Sequence, residues 1–140
     1  MVMGELGIKN VNIIDAQVYE DGRIVVYEFR KEIDFLTKRV FFINWQSPLS
    51  KPHAHKNGWQ LHFCVIGVVH MRVYDGNLSR EIIISETGRE GLLIGPGVWH
   101  SYKFENSNTR LIAISSTNFN MTDYIRNWEE FNEWVKAGKF

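Results

Sequence analysis

The sequence predicts an all-β fold, a barrel of short antiparallel strands closed by one C-terminal α-helix, and three observations carry that expectation. Short segments rich in β-branched and aromatic residues recur along the chain, turn residues punctuate them, and no sustained helical period occurs before residue 120. Many short strands at close spacing point to a barrel or a sandwich rather than a layered α/β fold.

The elements follow in order. Strand-forming runs are VNIIDAQVY (11–19), RIVVYEFR (23–30) and TKRVFFINW (37–45), then WQLHFCVI (59–66), VVHMRVY (68–74), SREIIIS (79–85), GLLIG (91–95), VWHSYKF (98–104) and RLIAISS (110–116). About nine strands result. Asp21-Gly22 and Asp75-Gly76 each lie between two such runs, and Asp-Gly supplies the positive φ angles of a tight hairpin, so neighbouring strands are mostly antiparallel. Gly4 and Gly7 give the chain a loose start. The tail changes period: in TDYIRNWEEFNEWVK, Ile125, Trp128, Phe131 and Val135 fall three or four apart and share one helix side, with Glu129, Glu130 and Lys136 toward water. That stripe is expected to cover an open end of the barrel or a neighbouring subunit.

The 140 residues fit one domain spanning 1–140, without repeats or linkers. Sixteen basic residues balance sixteen acidic ones with no basic run, which removes the electrostatic footprint of a nucleic-acid binder. No window reaches the ~18 apolar residues of a membrane span, and the first residues lack the features of a signal peptide. Cys64 is the single cysteine, so no disulfide framework is possible, and it is read as a buried, inert thiol. A cytoplasmic protein with no membrane partner is expected.

Chemistry concentrates in KPHAHKNGWQLHFCVIG (51–67). His53 and His55 have the same parity, so on a strand both imidazoles project to one face. Gln60, His62 and Cys64 share another parity, and if Gln60 faces inward so does His62. Histidine titrates near neutral pH, and two adjacent imidazoles cannot both charge cheaply, which leaves a neutral basic ring for proton transfer.

The spacing His-x-His, four residues, Gln60, followed later by GLLIGPGVWH, resembles the two signature motifs of the cupin superfamily, with Gln60 where metal-binding cupins carry glutamate and His100 close to the second motif's histidine. DGRIVVYEFRKEIDFLTKRVFF, HAHKNGWQ, GLLIGPGVWH and TDYIRNWEEF occur in an order similar to that of the sugar-nucleotide 3,4-ketoisomerases. The resemblance implies a cupin jelly-roll barrel and an isomerase that moves the keto group between carbons 4 and 3 of a dTDP-4-keto-6-deoxyhexose, without cofactor or metal. That chemistry belongs to deoxysugar biosynthesis for glycans such as lipopolysaccharide or S-layer glycan.

By the same resemblance His55 is the base and His53 orients it or relays a proton, in an order that could be reversed. Gln60 can donate to the developing enolate. His62 adds a third imidazole, and Trp99 and His100 close the far side of the pocket, with the Trp99 indole as a platform. Arg23, Arg39 and Lys56 are candidates for the diphosphate, since cations are its usual partners. Tyr124 and Arg126 are read first as packing residues and second as ligands. His70 has the parity of a solvent-facing position.

Three departures bear on the site: Phe41-Phe42 stand where family members carry tyrosine, Ser50 lies in a segment where they carry a glycine-containing loop with arginine, and His62 replaces an apolar residue. Two alternatives therefore stand beside the isomerase: a metal cupin using His53, His55, His62 and His100, against which Gln60 argues, and a non-catalytic sugar-nucleotide-binding module. A homodimer is expected, built on an exposed edge strand and the aromatic tail of Trp128, Phe131 and Trp134.

Overall fold

A computed structural model describes residues 6–28, 34–45 and 51–140. Twelve strands are present among them: β1 (Val11–Asp15), β2 (Gln17–Tyr19), β3 (Ile24–Val26), β4 (Arg39–Asn44), β5 (Ala54–His55), β6 (Gln60–Ile66), β7 (Val68–Tyr74), β8 (Ser79–Ser85), β9 (Glu90–Ile94), β10 (Trp99–Phe104), β11 (Arg110–Ser115) and β12 (Tyr124–Ile125). One helix, α1 (Trp128–Lys136), follows. Among the described residues every strand pairing is antiparallel, as the turn chemistry predicts.

A five-stranded sheet in the order β1-β9-β6-β11-β4 faces a three-stranded sheet β10-β7-β8. Alternation decides what lies between them. Val11, Cys64, Leu92, Ile94 and Leu111 from the first sheet meet Val69, Met71, Val73, Ile82, Ile84 and Phe104 from the second in one buried core. Cys64 is part of it, its thiol donating to the Ile66 and Gly67 carbonyls at 3.2 Å, and burial pushes its pKa up to about 11, so it is inert as expected. Leu61 and Leu93 point to the opposite face of the large sheet and pack with Ile14, Phe35, Trp59, Phe63 and Ile114.

Both Asp-Gly turns form, with differences of detail. Asp21 and Gly22 take positive φ of 56° and 87° between β2 and β3, in a loop that also places Glu20 in that region. Asp75 Oδ1 accepts from the Asn77 and Leu78 amides at 2.8 Å, and Gly76 has φ 97°, where a Cβ would come within 2.6 Å of Val135. The run 11–19 is not one strand: at Ala16, whose amide donates to the Arg89 carbonyl, the chain leaves the large sheet for the β2–β3 hairpin.

The helix is shorter than its sequence period suggests. Asn127 caps it, its side chain accepting from the Glu130 amide at 2.9 Å, so Ile125 belongs to β12 and reaches the same buried cluster from a strand. Phe131 is fully buried against Ala54 and Ile125, with Tyr74, Trp99 and Trp134 around it, while Trp128 remains 45% exposed. The helix thus covers one end of the barrel. Among the described residues no helix is long and apolar enough to cross a membrane.

Candidate active site

At that covered end, β5 is held from both sides. Its backbone pairs with β12, setting Tyr124 opposite His55 and Ile125 opposite Ala54. His53 exchanges two backbone hydrogen bonds with His100, at 3.1 and 2.9 Å. Ala54 turns outward into the apolar cluster beneath the helix, and the flanking histidines turn inward, as alternation requires. Their rings lie 5.1 Å apart, and the His100 ring lies 4.5 Å from His53 and 5.6 Å from His55.

The hydrogen-bond partners fix which nitrogen carries the proton. His55 Nδ1 faces the Asp123 carboxylate at 3.1 Å, His100 Nδ1 faces the Val98 carbonyl at 2.9 Å, and His53 Nδ1 faces the Lys51 carbonyl at 3.3 Å. All three partners only accept, so each Nδ1 donates and each neutral ring keeps a lone pair on Nε2. The Nε2 atoms of His55 and His100 are buried and find no hydrogen-bond partner among the described residues. One ring nitrogen from each of His53, His55 and His100 lies within 4.8 Å of the others.

Burial keeps His53 and His100 uncharged. It pushes His53 down to about 4, with His55 adding to the effect, and holds His100 well below its ordinary value. Asp123 behaves oppositely: burial opposes its ionisation, but hydrogen bonds from the His55 ring and the Asn57 amide hold its carboxyl below the usual range. The Asp123 carboxylate thus stands behind His55 at 3.1 Å. Asp123 is the principal residue missed by sequence reasoning, because 68 positions separate it from His55 and no motif spacing links them. The one available signal was the TDY segment itself.

The inner face of the large sheet forms the adjoining wall. Arg39, Ser115, Gln60 and Ile94 stand in register on β4, β11, β6 and β9, and Phe41, Ala113, His62 and Leu92 form the next row. Gln60 faces inward, 2% exposed, and His62 goes with it as their shared parity requires. His62 Nε2 shares a 2.9 Å hydrogen bond with the Tyr102 hydroxyl, and burial pushes His62 down to about 3. Arg39 donates from Nη2 to Ser115 Oγ at 3.3 Å, and its guanidinium lies 4.8 Å from the Phe41 ring and 5.7 Å from the Phe119 ring. Its buried Nε has no partner among the described residues.

Three expected contacts fall elsewhere. Trp99 does not close the pocket: it precedes His100 on β10, so alternation sends it to the other face, 5.3 Å from both the Trp128 and Phe131 rings. Lys56 follows His55 and is likewise turned out, its ammonium 5.1 Å from the Trp134 ring. Arg23 lies in the β2–β3 loop, paired with Glu20 at 3.8 Å, and the neighbouring Gly22 sits by Arg89 at the other end of β9 from the cluster. Tyr124, read first as packing, has its ring 4.6 Å from His55 and 5.3 Å from His53, under the Arg126 guanidinium. Of the departures, Phe41 faces inward below Arg39 and Phe42 faces out, while Ser50 lies outside the described residues.

Comparison with known proteins agrees with this architecture. Residues 8–136 match the family described as FdtA: WxcM-like, C-terminal. A curated relative, the TDP-4-oxo-6-deoxy-alpha-D-glucose-3,4-oxoisomerase of Aneurinibacillus thermoaerophilus, is 32% identical over 126 residues, covering 88% of this chain and 86% of its own. Among solved structures, a mutant of the 3,4-ketoisomerase QdtA from Thermoanaerobacterium thermosaccharolyticum in complex with TDP-4-keto-6-deoxyglucose superposes with a TM-score of 0.81 at 26% identity, over 93% of this chain and 96% of that one. The WlaRB TDP-quinovose 3,4-ketoisomerase from Campylobacter jejuni gives 0.78 at 30% identity, over 90% and 99%.

Proposed function

This chain belongs to the FdtA family of WxcM-like domains, and on that premise we propose that it is a 3,4-ketoisomerase acting on a TDP-linked 4-keto-6-deoxyhexose. The observation that carries the chemistry is the His55–Asp123 pair, in which the carboxylate accepts a hydrogen bond from Nδ1–H and leaves the lone pair on a buried Nε2. His55 is the base. It removes the hydrogen of carbon 3 as a proton, the C–H electrons form the carbon 3–carbon 4 double bond, and the carbonyl electrons move onto oxygen 4. The imidazolium of His55 returns its proton to carbon 4 of the resulting enediolate, while the proton of the carbon 3 hydroxyl passes to oxygen 4 and the O–H electrons form the new carbonyl at carbon 3, so atoms and charge balance.

Asp123 holds the tautomer and favours the imidazolium formed in mid-reaction. His53 and His100, neutral and with lone pairs, accept from sugar hydroxyls, and His53 relays a proton between oxygens 3 and 4. Gln60 donates to the oxygen that becomes negative. Arg39 is the cation best placed for the diphosphate. Phe41 offers no hydroxyl at its level of the wall, where His62 and Tyr102 supply the polar groups instead.

Incubation with TDP-4-keto-6-deoxyglucose in deuterated water tests the proposal: deuterium should enter the hexose, and entry should vanish in His55→Asn. Binding without exchange would favour the non-catalytic module. A metal reading rests on the convergence of His53, His55 and His100, whose neutral imidazoles are ligands that zinc, nickel or ferrous iron accept. Activity lost to a chelator and restored by a metal would establish it.

The reading extends to a cytoplasmic enzyme of deoxysugar biosynthesis that works as a homodimer. The aromatic tail is largely spent inside the chain, so the support for pairing comes from edge strand β4, where Val40 and Phe42 are 57% and 60% exposed. Sedimentation of the wild type against Phe42→Glu checks it.

A further inference from the structure

Two of the three convergent imidazoles depend on adjacent residues of the turn between β9 and β10. The Gly97 amide donates to the His55 carbonyl at 3.0 Å, and the Val98 carbonyl accepts from His100 Nδ1 at 2.9 Å. One flank of the turn is held by Asn10, whose side-chain amide donates to the Pro96 carbonyl and whose own carbonyl accepts from the Gly95 amide, both at 2.9 Å. Phe140 covers Gly97 itself. A Cβ there would lie 2.5 Å from Cγ of the Phe140 ring, and Gly97 has φ 76°, so glycine is what lets the ring approach this closely.

Phe140 reaches that place because of how the helix ends. Past Lys136 the Gly138 amide donates to the Val135 carbonyl and the Lys139 amide to the Trp134 carbonyl, both at 3.1 Å, with Gly138 at φ 64°. This left-handed glycine cap turns the chain back over the end of the helix. The Phe140 ring then settles 5.4 Å from the Trp134 ring and 5.8 Å from that of Phe131. Its backbone oxygen accepts from Lys9 Nζ at 3.1 Å, and Lys9 is the neighbour of Asn10. Ring and backbone are both pinned, and both pins lead to the turn.

We propose that Phe140 is a positioning residue for the reaction: lying on Gly97, it holds the Gly97–Val98 turn and through it the mutual placement of His55 and His100. The inference rests on the proposed isomerase function and adds to it a residue in the apolar cluster beneath the helix, outside the pocket. His55 is tied to Asp123 and β12, and His100 to His53, but the two supports become neighbours only at Gly97 and Val98. The 5.6 Å between the two rings is set there. Proton transfer is sensitive to such spacing, since a misplacement of about 1 Å from a remote change can cost about a hundredfold in rate.

The test takes three readouts on the full chain carrying Phe140→Ala: deuterium entry into TDP-4-keto-6-deoxyglucose, calorimetric affinity for TDP, and the imidazole nitrogen signals in long-range proton–nitrogen NMR spectra. Exchange should slow about ten- to a hundredfold while the affinity for TDP, which lacks the hexose, stays within about twofold. His100 should leave its single Nδ1–H tautomer as the Val98 carbonyl loosens, and His70, on the outer face of the other sheet, should keep its signals. Phe140→Tyr keeps the ring and should restore all three readouts. Phe140→Leu should fall between, and it carries the test if a melting curve shows the alanine variant unfolded. Exchange at the wild-type rate overturns the inference, and so does a loss of TDP affinity equal to the loss of exchange, which marks general loosening. A wild type that exchanges no deuterium overturns the isomerase reading instead; the His100 signals then decide the coupling alone, a changed tautomer sustaining it and an unchanged one overturning it.

Discussion

Four of the five histidines lie in one group, three of them buried and His53 partly so, and the fifth, His70, lies on the outer face of the three-stranded sheet, and the two places treat the same side chain in opposite ways. In the group, each of His53, His55 and His100 meets a single acceptor through Nδ1, and burial holds His53, His62 and His100 neutral. At the surface, His70 Nδ1 lies 3.0 Å from Glu81 and Nε2 lies 2.7 Å from Glu105. Both nitrogens can donate only as an imidazolium, and the hydrogen bonds to Glu105 and Glu81 raise its pKa accordingly. One environment prepares a base and the other fastens a cation between two strands. The residue type alone says neither; the number of acceptors and the depth decide.

The largest expected effect breaks the first half of that contrast. His55→Asn should lower the rate of deuterium incorporation by about 10²–10⁴-fold, measured by NMR. Asp123→Asn keeps the imidazole but removes the acceptor that fixes its tautomer, and a loss at the lower end of that range, about 10²-fold, is expected in the same assay.

Acid titration of stability comes next. The folded pKa values of His53, His62 and His100 lie below the unfolded value of 6.5, so the unfolded chain binds more protons as pH falls and stability is lost from 6.5 down toward about 4 for His53 and about 3 for His62. Each ring that must charge in the unfolded chain steepens that loss. Denaturant unfolding at pH 6.5, 5.5 and 4.5 checks this, and His62→Gln should make the loss shallower.

The smallest effect has the opposite sign. His70 has a raised folded pKa, so its contribution is complete below the unfolded value of 6.5 and disappears as pH rises from there through the higher folded pKa. His70→Gln should cost less than about 1 kcal/mol at pH 6, as an exposed ion pair does, and nothing measurable near pH 9. A loss that grows with pH would contradict the clamp.

Much of this arrangement is legible in sequence because strands alternate. The parity of His53 and His55, of Gln60 and His62, and of His70 assigned each side chain to the face it occupies. The same rule, applied to Trp99 beside His100 and to Lys56 beside His55, argues against a shared pocket, and the structure follows it. What alternation cannot supply is which distant strands meet. Asp123 reaches His55 because β12 pairs with β5, and a two-residue strand carries almost no period of its own. The helix start was obscured for a related reason: Ile125 lies at helical spacing from Trp128 yet is buried from a strand, and only the Asn127 cap separates the two. Arg23 is far from the cluster because the chain leaves the large sheet at Ala16, a break that the apolar run 11–19 does not announce.

The three Nδ1 locks have a consequence for what can occupy the pocket at different acidity. With the Nε2 lone pairs of His55 and His100 buried, the pocket offers acceptors suited to hydroxyl groups. Once His53 and His100 take up protons in acid, their ring nitrogens become donors carrying positive charge, and the preference inverts toward carboxylates and oxyanions. Crystals grown from strongly acidic citrate or sulfate would then trap a buffer anion where the sugar belongs, so soaking experiments belong near neutrality.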